Sequence, residues 1–266
     1  MPWVTRGLRN GIVTSRYPRR PDDYGHGFRA SVTVTPPAGP EWPYTADDAA
    51  LAGLCPTGAI TDGQGQVNVD RGRCILCGRC VAARPDLFRF DPLPQNAALT
   101  RHQLVVPGGM DESDEALEAL RSRLHRRVRA LRRSVHIRHV DAGSDGSEEW
   151  EIAALNNPVY DIQRLGMFFT ASPRHADVLL VSGAGSAGMA IPLRHTWEVM
   201  PEPRVVVAVG VDAISGGLIH PTYATRGGIS DMVPVDVWVP GSPPSPFAIL
   251  HGLVLAVGLV SGEAEQ

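Results

Sequence analysis

The sequence contains no lysine: all 25 basic residues are arginine. That absence excludes a phosphate-gripping P-loop lysine, a Schiff-base lysine and a lysine general base. Charge of one sign is not in excess either. The formal net charge is −3, so no global attraction to nucleic acid is expected. Long apolar runs are scarce. The longest late one, Pro246 to Val260, is interrupted by His251 and falls short of the roughly 18 residues that span a bilayer. The opening MPWVTRGLRNGIVTSRYPRR is basic but lacks the apolar stretch of a signal peptide. A soluble or peripheral protein facing the cytoplasm, with no transmembrane segment of its own, is expected. Cysteine is scarce as well, with four residues. In a reducing compartment such a set points to metal or redox chemistry rather than disulfides.

What is present suffices for one large or two ordinary domains: 266 residues, 43% of them apolar. Residues 1–30, rich in Arg and Pro, read as an extended arm. Residues 31–100 hold every cysteine among Pro and Gly turns, with short β-like runs at Val67–Val69 and Leu87–Phe90, and read as a small, loop-rich α+β module. Residues 101–133 read as a linker. Within it 111–133 form a helix with acids in the first turns and Arg in the last, as the helix dipole favours. Its stripe of Leu117, Leu120, Leu124, Val128 and Leu131 packs on its own domain or docks on a partner. Residues 134–260 form an α/β domain. Strands are predicted at Ser134–Val140, Met167–Ala171, Ala176–Ser182, Arg204–Gly210 and Pro234–Pro240, and helices at Glu148–Leu155, Met189–Met200 and Pro246–Val257. Near-continuous apolar strands joined by helices indicate a parallel sheet covered on both faces. Ligands bind such sheets at the carboxyl ends of the strands, here the loops 141–148, 183–188, 211–217 and 241–244.

The strongest chemical signal is CILCGRC, which sets Cys74, Cys77 and Cys80 at C-x2-C-x2-C, with Cys55–Pro56 upstream in LCPTGAI. In bacterial ferredoxins three thiolates of such a run hold one cube and a remote Cys-Pro supplies the fourth. Zinc is the competing reading, but zinc sites favour two separated C-x2-C pairs. The spacing therefore assigns one [4Fe–4S] cluster to Cys55, Cys74, Cys77 and Cys80. A twin cluster is missing. Arg84–Pro85 stands where a second Cys-Pro would follow, and Thr45, Asp48 and Leu51 stand where the other run would fall.

Two families come into view at this point. Residues 1–100, through GLRNGIVTSRYP, LCPTGAI and CILCGRC, resemble the ferredoxin-type subunit of membrane-bound group 4 nickel–iron hydrogenases such as formate hydrogenlyase. Residues 133–258, through HIRHVDAGS, EIAALNNPVYDIQRLGM, ASPRHADVLLVSG, VVVAVG, RGGI and PVDVWVPGSPP, resemble the small subunit of those hydrogenases and the homologous 20 kDa-type subunit of NADH:quinone oxidoreductase (complex I). The resemblance implies a flavodoxin-like fold for the second domain. It implies a large catalytic subunit and membrane subunits as partners, and a peripheral place on the inner face of the cell membrane through them. It also implies an inner cluster held by four Cys, and their positions fall on Asp145, Glu148, Asp212 and Ser242. None is cysteine here. Oxygen donors in place of thiolates leave two readings: a hard-cation site or an abandoned, polar pocket.

Weaker features complete the reading. Gly183–Gly188 spells GAGSAG after a strand and before a helix, the context of a dinucleotide-binding turn, with Asp212 as a candidate ribose ligand; a plain Gly-rich turn is the alternative. His175 in SPRHAD fits a loop that the resemblance implies lies near the partner interface; read alone, it is a hydrogen-bonded structural histidine. Arg84 either adds positive charge beside the cluster or fills the space of a lost ligand. Arg6, Arg9, Arg16, Arg19 and Arg20 grip an acidic partner surface or are solvated. The expected function is an iron–sulfur electron-transfer subunit of an oxidoreductase complex, not catalytic alone. A structural subunit with a broken relay and a dinucleotide-binding oxidoreductase are the alternatives.

Overall fold

The computed structural model describes residues 2–20, 27–35, 51–63, 66–107, 114–128 and 134–258. The C-terminal part is a five-stranded sheet of Val135–Asp141 (β6), Met167–Phe169 (β7), Val178–Ser182 (β8), Val205–Val209 (β9) and Val237–Val239 (β10). Its order is β10-β9-β8-β6-β7, every pair parallel, which is the flavodoxin-like order. Each predicted strand is present, shorter at one or both ends except that β6 gains Asp141. The two central strands, VLLVS and VVVAV, are buried at every position, because helices cover both faces.

The strand period of two divides the core. Val178, Leu180, Val205, Val207 and Val209 face the helix Pro246–Ala256. Leu179, Val181, Val206 and Ala208 face the other side with Leu193 of the helix Ala190–Val199. The helix Pro246–Ala256 is apolar on nearly all sides and is buried on nearly all sides. Its Phe247 takes edge-on contacts from Tyr17, Phe28 and Tyr160, with ring centroids 5.9, 6.1 and 4.8 Å away. No helix among the described residues is long and apolar enough to cross a membrane.

The N-terminal module has two small sheets. Ser31–Val34 (β1) pairs antiparallel with Phe88–Asp91 (β4), and Ile60–Gly63 (β2), Gln66–Asp70 (β3) and Val105–Val106 (β5) form a three-stranded sheet. That third strand comes from the stretch read as linker. The modules are joined by backbone. Ala98 exchanges two hydrogen bonds with Trp238 on the edge strand β10 (2.9 and 2.8 Å), and the Asn96 side-chain Nδ2 reaches across to Pro240 O (3.5 Å).

Two further features differ from the sequence reading. The arm is not extended throughout: Pro2–Asn10 is helical (α1). After it, Ser15 N donates to Val159 O (2.7 Å) and Tyr17 is buried in the α/β core. The loop expected at 211–217 is largely a short helix, Gly210–Ser215. The predicted helix 111–133 is described over Asp114–Val128 (α3). Leu124 joins the α/β core with Leu120 packed against it, so this part of the stripe packs on its own domain. Leu131, Thr45 and Asp48 lie outside the described residues.

Candidate functional site: a four-thiol pocket and a carboxylate cluster

The chain reverses tightly through CILCGRC. Leu76 and Gly78 both adopt left-handed backbone (φ 55° and 76°), which curls the loop so that its side chains converge. A side chain at 78 would also press on the Phe90 ring, 3.2 Å from a built Cβ. Cys80 then lies in the first turn of the short helix Arg79–Ala83 (α2). Cys55 arrives from the turn before β2. Together Cys55, Cys74, Cys77 and Cys80 line one cavity with Val32, Ile60 and Val69, and all four are free thiols. The rest of the wall is largely apolar, and the four thiols are the convergent groups on it that could ligate a metal.

The electrostatics suit a bound cationic centre. Burial pushes the Cys74 thiol up to about 12, and the neighbouring Cys80, Cys55 and Cys77 push in the same direction, against a backbone hydrogen bond from Leu76. Burial and Cys77 likewise raise Cys80. Burial alone would raise Cys55, but the Thr57 hydroxyl and the backbone N–H groups of Thr57, Ala59 and Ile60 outweigh it and hold that thiol below its ordinary range. Ala59 N lies 3.2 Å from Cys55 Sγ. Two buried thiols that resist ionising, Cys74 and Cys80, beside one served by N–H donors, Cys55, fit a group whose iron compensates the thiolate charge. Arg71 adds a half-buried guanidinium here. Burial pulls its pKa down, while Asp91 and Cys74 favour its charge. Arg84 contributes less than the sequence suggested, since it forks onto Asp86 (Nε–Oδ1 3.0 Å, Nη2–Oδ2 2.8 Å) at the surface.

The second constellation sits at the carboxyl ends of the sheet. Asp145, Glu148 and Asp212 each offer an oxygen, all within 4.8 Å of one another. Ser242 follows Gly241, whose carbonyl accepts from Val211 N (2.8 Å), so it borders the same edge. Glu148, on the helix Ser147–Ala154 (α4), is 1% exposed. Burial pushes its carboxyl up to about 7, with Asp212 and Asp145 adding to the rise. Asp212 is raised by burial, then by Asp145 and Glu149. Asp145 is held low by hydrogen bonds from Ser147.

Sequence reasoning missed a connected polar group. Glu149 accepts from Ser144 Oγ (2.7 Å) and from the fully buried Ser182 Oγ, which also meets His139 Nε2 at 3.0 Å. Burial lowers the His139 pKa despite Glu149 and Asp141. A polar residue ending an otherwise apolar strand, Ser182, was the available signal.

The two constellations meet through one loop. Ser215 Oγ donates to Gly72 O (2.8 Å), tying the helix that carries Asp212 to the turn that leads to Cys74. Asp70 anchors that turn by a two-pronged pair with Arg101 (2.7 and 2.6 Å).

The glycine-rich turn does not offer a phosphate cradle. Backbone N–H groups of Ala184, Ser186 and Ala187 already donate to Gly143, Ala142 and Ala224 carbonyls. A built Cβ at Gly183 would stand 2.6 Å from Gly143 and Ser144 backbone. These glycines allow chains to pack together, and the dinucleotide alternative loses its donors. His175 is exposed in a short 3-10 turn; among the described residues no ring hydrogen bond is found, contrary to the structural role expected.

Residues 146–256 match the family model for the 20 kDa subunit of NADH ubiquinone oxidoreductase. Residues 69–122 match the 4Fe-4S single cluster domain of ferredoxin I. The probable membrane-bound hydrogenase subunit mbhJ of Pyrococcus furiosus is 39% identical over 141 residues, 52% of this chain and 84% of the relative. The chain belongs to the family of the 20 kDa subunit of NADH:ubiquinone oxidoreductase. Formate hydrogenlyase subunit 7 of Escherichia coli is 37% identical over 55% of this chain and 56% of its own length. An NADH-quinone oxidoreductase subunit of Desulfovibrio desulfuricans is 43% identical over 42% of this chain and 61% of its own length. The chain thus spans little more than half of the formate hydrogenlyase relative. As a member of the 20 kDa-subunit family it also carries a ferredoxin-type module in the same polypeptide.

Proposed function

We propose that the chain is the iron–sulfur electron-transfer subunit of a complex I-like or group 4 hydrogenase-like assembly, carrying one [4Fe–4S] cluster on Cys55, Cys74, Cys77 and Cys80. The observation that carries the reading is the convergence of those four thiols on one cavity, within and beside the match to a single-cluster ferredoxin domain. When bound, such a cluster accepts and returns one electron at a time. The protein supplies four thiolates, an apolar wall, N–H donors around Cys55 and the Arg71 charge beside Cys74. The partners are a large catalytic subunit and membrane subunits, because relatives are named as parts of formate hydrogenlyase, a membrane-bound hydrogenase and NADH-quinone oxidoreductase. The chain sits peripherally, through them, on the inner face of the membrane.

The α/β domain has no thiolate at the inner position. Asp145, Glu148, Asp212 and Ser242 offer oxygen, which is too hard for cubane iron. The relay through this domain is broken, and the domain holds the large subunit in place. Iron and acid-labile sulfide measured on anaerobically purified protein test the reading, with electron paramagnetic resonance after reduction. About four irons and a signal lost in Cys77→Ser are expected. Zinc without sulfide overturns the cluster assignment.

A further inference from the structure

The helix Pro2–Asn10 is unlike the other helices described: every residue from 2 to 13 is exposed, and none of the helix is buried against the protein. It is nonetheless two-sided. At about 100° per residue, Trp3, Gly7, Val4 and Leu8 share one arc, and Thr5, Arg9, Arg6 and Asn10 share the opposite one. Trp3 is 74% and Leu8 80% exposed, with Ile12 at 89% just beyond. The apolar arc therefore faces no described residue of its own chain.

Charge adds a second, independent asymmetry. Residues 1–20 contain Arg6, Arg9, Arg16, Arg19 and Arg20 and no acid, in a chain whose net charge is −3. All five arginines are exposed. The segment that follows the helix is fixed to the body by Thr14 Oγ1 to Pro158 O (2.8 Å) and Ser15 N to Val159 O (2.7 Å). The helix and its arginines stand off from that fixed point.

A helix this short is marginal in water without packing, since isolated helices below about 12–15 residues gain too few hydrogen bonds. It needs a surface. An apolar arc that begins with Trp, a cationic opposite arc and no acidic residue match an interfacial amphipathic helix. The nine residues are far too few to cross a bilayer. We infer that Pro2–Asn10 lies in the interface of an anionic phospholipid bilayer, with Trp3, Val4 and Leu8 in the acyl boundary and Arg6, Arg9, Arg16, Arg19 and Arg20 on the headgroups. The protein then holds the membrane by its own contact as well as through partners. This inference does not depend on the cluster assignment.

The test is flotation of the full-length, cluster-loaded chain with vesicles of phosphatidylcholine alone and of phosphatidylcholine with phosphatidylglycerol. Binding is expected to the anionic vesicles, to weaken with salt, and to shift fluorescence that Trp3→Phe removes. Each arginine near an anionic surface contributes about 1 kcal/mol, so Arg6→Gln with Arg9→Gln should weaken binding about thirty-fold. Leu8→Glu should abolish it. These positions touch no core residue, so iron content and melting temperature in solution should not change. Equal binding to neutral vesicles, or undiminished binding of Leu8→Glu, overturns the inference. So does failure to bind lipid vesicles while native membranes retain the chain, which gives the helix to a protein surface.

Discussion

Gly210 leaves the space that the Glu148 carboxylate occupies. A Cβ built on Gly210 would lie 2.7 Å from Glu148 Cγ and 2.8 Å from Cδ, and the glycine has φ 86°. The end of β9 and the helix α4 therefore touch through a missing side chain and a buried acid. Gly210→Ala forces the carboxylate out and strains the backbone. The expected loss is about 2–4 kcal/mol of unfolding free energy. In a Glu148→Ala background only the backbone part, about 1–2 kcal/mol, should remain. Chemical denaturation of the double-mutant cycle checks this; equal costs in both backgrounds contradict the contact.

The same acid makes stability depend on pH. Glu148 is 1% exposed and its carboxyl is raised to about 7. The folded state binds its proton more tightly than the unfolded state does. The stabilisation is complete below the unfolded value, near 4.5, and is lost as pH rises through about 7. The difference is of the order of 3 kcal/mol. Glu148→Gln, neutral throughout, should unfold with a flatter pH profile between those limits and be the more stable protein at pH 8. A wild-type profile that rises across this range would contradict a carboxyl whose burial outweighs its hydrogen bond from Ser147 Oγ (3.1 Å).

The turn into Cys74 depends on Asp70. Its carboxylate holds Arg101 by two hydrogen bonds (2.7 and 2.6 Å) and accepts Gly72 N (2.9 Å). Arg101→Leu leaves the acid with only Gly72 and Arg73. It should cost about 2–3 kcal/mol and speed the loss of iron to a chelator. A variant that melts lower yet holds iron as firmly would show that Arg101 stabilises the interface and not the turn.

Much of this was legible because the residues carry their own periodicity. VLLVS and VVVAV read as doubly covered strands, and CILCGRC reads as a ligand loop from spacing alone. The short helix Gly210–Ser215 was not legible. Six residues give no helical period, and its Gly start suggested a turn. The helix Pro2–Asn10 was hidden by its Arg and Gly content, which mimics an arm. Strand Val105–Val106 is two residues, paired to β3 by tertiary contact that no local pattern announces. Glu148 and Glu149 are neighbours, but a helix turns adjacent residues about 100° apart. One joins Asp145 and Asp212, and the other joins Ser144 and Ser182.

All iron should belong to the N-terminal pocket. The three convergent carboxylates at the sheet edge present oxygen, and no cysteine lies anywhere in residues 134–258. Neither of the two cores that build the α/β domain includes a cysteine; Cys55, Cys74 and Cys80 pack beside the small cluster around Phe88. Replacing Cys55, Cys74, Cys77 and Cys80 together by Ser should therefore remove all acid-labile sulfide and every low-temperature resonance signal. The far-ultraviolet circular dichroism of the α/β domain should survive. Near-stoichiometric residual sulfide would mean that oxygen ligands hold a cluster at Asp145, Glu148, Asp212 and Ser242, and that the relay through the sheet is intact. Loss of the α/β signal along with the iron would mean that the cluster holds both modules folded, through Ser215 and Gly72.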